Sequence, residues 1–120
     1  HTKDTLMNAT EILKALSDDT RLRIVSLLAQ HDQMVVSDLV AALDMPQWHV
    51  SRHLGRLRAA GVVDCIRRGP CMCYALRTEL RQAVCGVVAA ARQWLDESVL
   101  ASDLGRLNEA LERRHKQEAE

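Results

Sequence analysis

The chain has 120 residues, 48% of them apolar, and sixteen basic side chains balance sixteen acidic ones. That length predicts one domain with a real core, and no apolar run approaches the roughly 20 residues that a membrane helix needs. With no Phe, two Trp and one Tyr, the composition also argues against an aromatic platform for single-stranded nucleic acid. The polar N-terminus passes straight into an amphipathic pattern, so no secretory leader is read and a cytoplasmic location is expected.

Residues 4 to 16 place Leu6, Ala9, Leu13 and Leu16 at helical spacing, with Met7 and Ile12 beside them. "SDDT" ends that helix. Thr20, or an aspartate before it, is the expected N-cap of "TRLRIVSLLAQH", where Leu22, Val25 and Leu28 share a face. "VVSDLVAALDM" reads as a short helix capped at Ser37, with Leu39, Val40 and Leu43 inward. Asp44-Met45-Pro46 breaks the chain, and proline suits the first position of a helix running to about Ala60. Within it lies "VSRHLGRLRAAG". Val50, Leu54 and Leu57 form its apolar stripe, Ser51, Arg52, Arg56 and Arg58 fall largely outside that stripe, and Gly61 supplies a left-handed stop.

The period then changes. "GVVDCIRRGPCMCYAL" suits two strands joined by a turn at "RRGP". From Thr78 a long apolar helix is expected to about Ser98, followed after Ser102 by an amphipathic helix with Leu104, Leu107 and Leu111, and a frayed tail from about Lys116. The pattern predicts a mainly α fold with a small β-hairpin wing. Its helix-turn-helix covers about 36–60, its wing about 62–76 and its C-terminal dimerisation helices about 78–116. From Pro46 to Arg77 six arginines stand against Asp64 alone, an electrostatic footprint that the neutral total conceals. The basic helix is therefore expected in the major groove of double-stranded DNA, with the wing arginines Arg67 and Arg68 reaching phosphate or the minor groove.

Three stretches, "LKALSDDTRLRIVSLL", "VSDLVAALDMPQWHVSRHLGRLRAAGVV" and "RRGPCMCYAL", resemble the arsenical-resistance repressor (ArsR/SmtB) family over about residues 9 to 77, although Asp19 stands where that family has proline. The resemblance implies a homodimeric repressor that leaves its operator when an inducer binds, with the first helix and the 78–98 helix at the dimer interface. An apolar face of Leu80, Val84, Val87, Val88 and Ala91 is the expected contact. Gln47, Trp48, His49, Ser51, Arg52, His53 and Arg56 occupy recognition-helix positions. Arg52 suits a bidentate contact to guanine, worth about 1–3 kcal/mol of discrimination, and Ser51 and Arg56 suit phosphate. Trp48 either touches a thymine methyl or packs. His49 and His53 have the i, i+4 spacing of a helical metal pair, but the histidine of "SRHL" belongs to the family motif and needs no metal.

Two inducer sites of that family are missing. Its CVC motif maps onto Val35, Val36 and Ser37, and its zinc pattern on the C-terminal helix is absent because residues 78 to 114 contain no histidine. Three of the four cysteines lie in the wing instead. In a hairpin with the three-residue loop Arg67-Arg68-Gly69, Cys65 faces Cys71 and shares a face with Cys73, and a two-residue turn breaks this triad. Converged thiolates predict a soft ion, As(III) first, with Sb(III), Cd(II) and Pb(II) behind it. A thiol-redox or persulfide response is the alternative, and plain packing is the bland one; Cys85 reads most simply as core. No CxxC, phosphate-type glycine loop or carboxylate pair for acid–base work is present, so neither an enzyme nor an organic cofactor is expected.

Overall fold

The computed structural model describes residues 8–119, so the 4–7 portion of the expected first helix lies outside the described residues. The elements are α1 (Ala9–Leu16), α2 (Asp19–Ala29), β1 (Met34–Val35), α3 (Val36–Leu43), α4 (Gln47–Ala59), β2 (Val63–Arg68), β3 (Cys71–Leu76), α5 (Thr78–Ala91) and α6 (Glu97–Ala119). A mostly helical chain thus carries a small antiparallel sheet of order β1-β3-β2.

The helix ends follow local chemistry. Asn8 caps α1 by accepting from the Glu11 N–H, and Asp18 caps α2 by accepting from the Arg21 N–H. The sequence expectation of an aspartate cap at α2 holds. Ser37, however, caps nothing: Val35 is the N-cap of α3 and makes no side-chain cap bond. Met34 and Val35 pair with Tyr74 and Cys73 of β3, so the chain leaves the sheet and enters the helix with no residue between. Asp44 closes α3 in a left-handed conformation at φ 53°. Pro46 is the N-cap of α4, one residue outside the helix proper.

At the other end of α4, Gly61 adopts φ 80°. The Val62 N–H bonds Leu57 O at 2.9 Å and the Gly61 N–H bonds Arg58 O at 3.0 Å, a Schellman closure with Val62 and Leu57 as its buried apolar pair. One core gathers Leu16, Ile24, Val25, Leu28, Leu39, Leu43, Val50, Leu54, Leu57, Val62, Val63, Leu76, Val84, Val88 and Leu107. α2 runs through its centre, with five successive residues buried, Ile24 to Leu28.

The C-terminal part departs from expectation. α5 stops at Ala91 instead of reaching Ser98, and α6 starts at Glu97, where Asp96 accepts from both the N–H and the hydroxyl of Ser98. The segment from Lys116 continues the helix to Ala119. The expected dimer face is also divided. Val84 and Val88 are buried in the core and Leu80 packs against it, which leaves Val87 outside. α2 covers that inner stripe within the same chain.

Two buried charge clusters tie α6 down. Asp103, only 1% exposed, accepts from Arg23 Nε at 2.9 Å, Arg23 Nη2 at 2.7 Å and Arg106 Nη2 at 2.8 Å. Arg114 pairs with the buried Asp38 of α3. Arg81 of α5 donates to the carbonyls of Ala29 and His31 at the end of α2. Among the described residues no helix is long and apolar enough to cross a membrane.

Candidate nucleic-acid interface

Helix α4 is amphipathic in the sense that its sequence implies. Val50, Leu54 and Leu57 are fully buried, and Gln47, Trp48, Ser51, Arg52, Arg56 and Arg58 are exposed. The docked stripe decides which side of the helix is inward, so these polar side chains lie on an open outer face. Trp48 is 66% exposed, which excludes packing into the chain's own core. Its ring sits edge-on to His49 at 5.3 Å, and His49 sits edge-on to His53 at 4.8 Å.

His53 does not share that open face. Its side chain is 14% exposed, its Nδ1 lies 3.0 Å from Arg21 Nη1, and Asp18 Oδ2 is 3.8 Å away. His53, expected among the DNA-facing residues, turns its ring toward the α1–α2 junction. Burial lowers the imidazole pKa, Asp18 opposes this, and His49, Arg21 and Arg52 reinforce it. For Asp18 burial acts to raise the pKa, but the Arg21 N–H and guanidinium together with His53 outweigh it, and the carboxyl lies below its ordinary value. Asp18 is one of the aspartates expected to cap α2, but its link to His53 through Arg21 has no counterpart in the sequence reading. The only signal for it was the run "SDDTR" ahead of α2.

The wing departs from the three-residue loop considered for it. Arg68 pairs with Cys71, Arg67 with Met72, Ile66 with Cys73 and Cys65 with Tyr74, which leaves a two-residue Gly69-Pro70 turn. Gly69 has φ 60°, the sign a type II′ turn requires at its first central residue. Proline explains the choice. A three-residue loop would place Pro70 in the ladder opposite Ile66, where it has no N–H to give, whereas the two-residue turn keeps it outside. Because sheet faces alternate, this register puts Cys71 and Cys73 on one face and Cys65 on the other. The Cys65–Cys71–Cys73 triad is not formed. Among the described residues no three His, Cys, Asp or Glu side chains gather closely enough for a metal ion.

Each thiol has a distinct setting. Burial and the neighbouring Cys65 thiol push the Tyr74 phenol above its ordinary pKa, with Arg58 opposing. Cys71 is exposed, Cys73 buried and Cys85 half-buried. Cys73 lines a pocket of ≈ 250 Å³ between the sheet and α6, together with His31, Asp38, Leu107, Leu111 and Arg114. The two wing arginines separate in the same way. Arg67 lies on the face of Tyr74, whose phenol senses Arg58 of α4, and Arg68 lies on the opposite face and donates to Gln33 Oε1 at 2.9 Å.

A family model described as "Bacterial regulatory protein, arsR family" matches residues 18–64, which span α2, α3, α4 and the start of the wing. The chain is 39% identical over 93 residues to the arsenic resistance transcriptional regulator ArsR1 of Pseudomonas putida, covering 74% of this chain and 73% of that one. The chain belongs to the arsR family. The regulator is also 34% identical to the arsenical resistance operon repressor of Escherichia coli, over 76% of this chain and 78% of that one. Its fold matches HlyU from Vibrio cholerae N16961 with a TM-score of 0.62 and 28% identity, covering 72% and 90% of the two chains. It is accordingly a winged-helix transcriptional repressor of that family and not an enzyme.

Proposed function

We propose that the regulator binds its operator as a homodimer in the cytoplasm and leaves it when a thiophilic ion is bound by Cys71 and Cys73. The observation that carries the DNA contact is the open polar face of α4, where Gln47, Trp48, Ser51, Arg52 and Arg56 stand clear of the core. His49 borders this face, Arg67 extends it along the wing, and Arg68 reaches from the wing's opposite face. Arg52 reads a base, and Ser51, Arg56 and Arg67 hold phosphate.

The dimer forms through the outer face of α5. Ala83, Val87 and Ala90 follow one another at helical spacing and are exposed, Trp94 stands exposed just beyond the helix, and Leu13 of α1 adds a further uncovered apolar side chain. The inducer class rests on the relatives, which include an arsenic resistance regulator, an antimony-specific repressor and a cadmium resistance regulatory protein. It rests also on two thiols that share a strand face with α-carbons about 7 Å apart. As(III) is the first candidate. A disulfide switch within one chain is the weaker reading, because that separation lies at the outer limit for bridging and Cys65 faces Tyr74.

The test is operator binding by fluorescence anisotropy at several salt concentrations, with and without arsenite. Arg52→Ala should weaken binding and relax sequence preference, and Arg67→Ala should weaken all sequences and flatten the salt slope. Cys71→Ser and Cys73→Ser should bind DNA and ignore arsenite, while Cys65→Ser and Cys85→Ser should respond as wild type. Unchanged affinity in both arginine variants refutes the DNA surface. Normal arsenite release from Cys71→Ser refutes the wing site.

A further inference from the structure

Among the described residues, His53 is the one side chain of α4 that makes a polar contact inside the protein. Its Nδ1 lies 3.0 Å from Arg21 Nη1, and the same guanidinium donates through Nε to Ala15 O. The backbone N–H of Arg21 is in turn the donor to the Asp18 cap at 3.0 Å. Arg21 therefore joins three things: the last turn of α1, the cap of α2 and the middle of α4. A guanidinium has only donors, so the Nδ1 that meets it must be an unprotonated acceptor. This places the ring proton of neutral His53 on Nε2.

We infer that His53 is a positioning residue for the recognition helix, holding α4 to the α1–α2 junction through Arg21 only while its imidazole is neutral. Apolar packing by Val50, Leu54 and Leu57 sets the depth of α4, but such contacts are non-directional and leave its azimuth soft. A directional bond from a charged donor fixes that rotation, and the rotation decides whether Arg52 and Ser51 point at the groove. Protonation converts the acceptor to a donor facing a cation. Asp18 at 3.8 Å then becomes its better partner, and Arg21 must turn away. The charged and titratable groups facing the ring are Arg21 and Asp18 from the junction and His49 and Arg52 from α4 itself. Arg21, Arg52 and His49 disfavour an added charge on the ring and only Asp18 favours it, which agrees with the depressed pKa.

The inference rests on α4 being the DNA-reading helix, so the test carries Arg52→Ala as a control. Operator affinity is measured between pH 8 and pH 5.5 for wild type, His53→Ala, His53→Asn and His49→Gln. Asparagine places an amide oxygen where Nδ1 was and does not titrate in this range. On acidification wild type should lose about tenfold in operator affinity, the equivalent of one charge-assisted hydrogen bond. Binding to unrelated DNA should lack that step. His53→Asn should bind as wild type at pH 8 and show no step, and His53→Ala should bind about tenfold more weakly at every pH. The 15N shifts of His53 should report the Nε2–H tautomer at pH 8. A pH step that persists in His53→Asn, or full affinity in His53→Ala, overturns the inference, as does an Nδ1–H tautomer. If Arg52→Ala also binds normally, the DNA surface itself has failed. If only the His53 variants are neutral, the positioning role alone has failed.

Discussion

Replacing Asp103 by alanine removes the carboxylate that holds α6 against α2 and α3. The residue is almost fully buried and accepts three hydrogen bonds, two from Arg23 in a fork and one from Arg106. Both guanidiniums also reach carbonyls at the end of α3, Arg23 to Leu43 O at 3.3 Å and Arg106 to Ala42 O at 2.8 Å. Removing one partner of a buried pair costs about 3–5 kcal/mol, because the other charge stays behind unpaired. Here the two arginine side chains are 18% and 36% exposed, so their guanidiniums recover some hydration, which puts the expected cost at the lower end, about 3 kcal/mol. That is a large share of the roughly 5–15 kcal/mol that stabilises a domain. Urea unfolding followed by circular dichroism, at one protein concentration for both chains, reads it as a fall in midpoint with unchanged slope. Asp103→Asn, which keeps the shape and one acceptor, should fall between. A loss below about 1 kcal/mol in Asp103→Ala would falsify the reasoning, since the cluster would then contribute no more than a surface pair.

Val87→Asp should convert the proposed dimer to monomer in sedimentation at micromolar concentration while circular dichroism stays unchanged; Val84→Asp should unfold the chain, since Val84 is core. Gly69→Ala should cost about 1–2 kcal/mol through its positive φ alone, because an added Cβ meets no atom within 4 Å. A neutral result in urea unfolding would refute the two-residue turn. Stability should also fall on acidification. The unfolded chain protonates His53 near its ordinary 6.5 while the folded chain resists, so the loss begins below pH 6.5 and is complete below the folded value. The depressed Asp18 adds a second loss in the same direction, beginning below its ordinary 3.8. His53→Asn should abolish the first of these losses in pH-dependent urea unfolding.

Local pattern was enough for the recognition helix. The i, i+4, i+7 spacing of Val50, Leu54 and Leu57 determines which face docks, and Gly61 determines where the helix stops, because both effects act within a few residues along the chain. The change of period after Gly61 likewise announces the wing. Register was legible only in part. The run "RRGP" allows two turns, and the choice belongs to Pro70, whose missing N–H matters only once a partner strand lies opposite. That one-residue difference removes Cys65 from the company of Cys71 and Cys73. β1 is two residues long, too short for any periodicity, and exists only because β3 lies beside it. The dimer face misled for a related reason. An apolar stripe on α5 says that something covers it, and only the packed chain shows that α2 covers Val84 and Val88 while Val87 stays outside. Asp103 with Arg23, and His53 with Arg21, lie 80 and 32 residues apart. Charge pairing at that range leaves no mark on local sequence, because the energy that makes such a bond depends on a distance the chain acquires only when it folds.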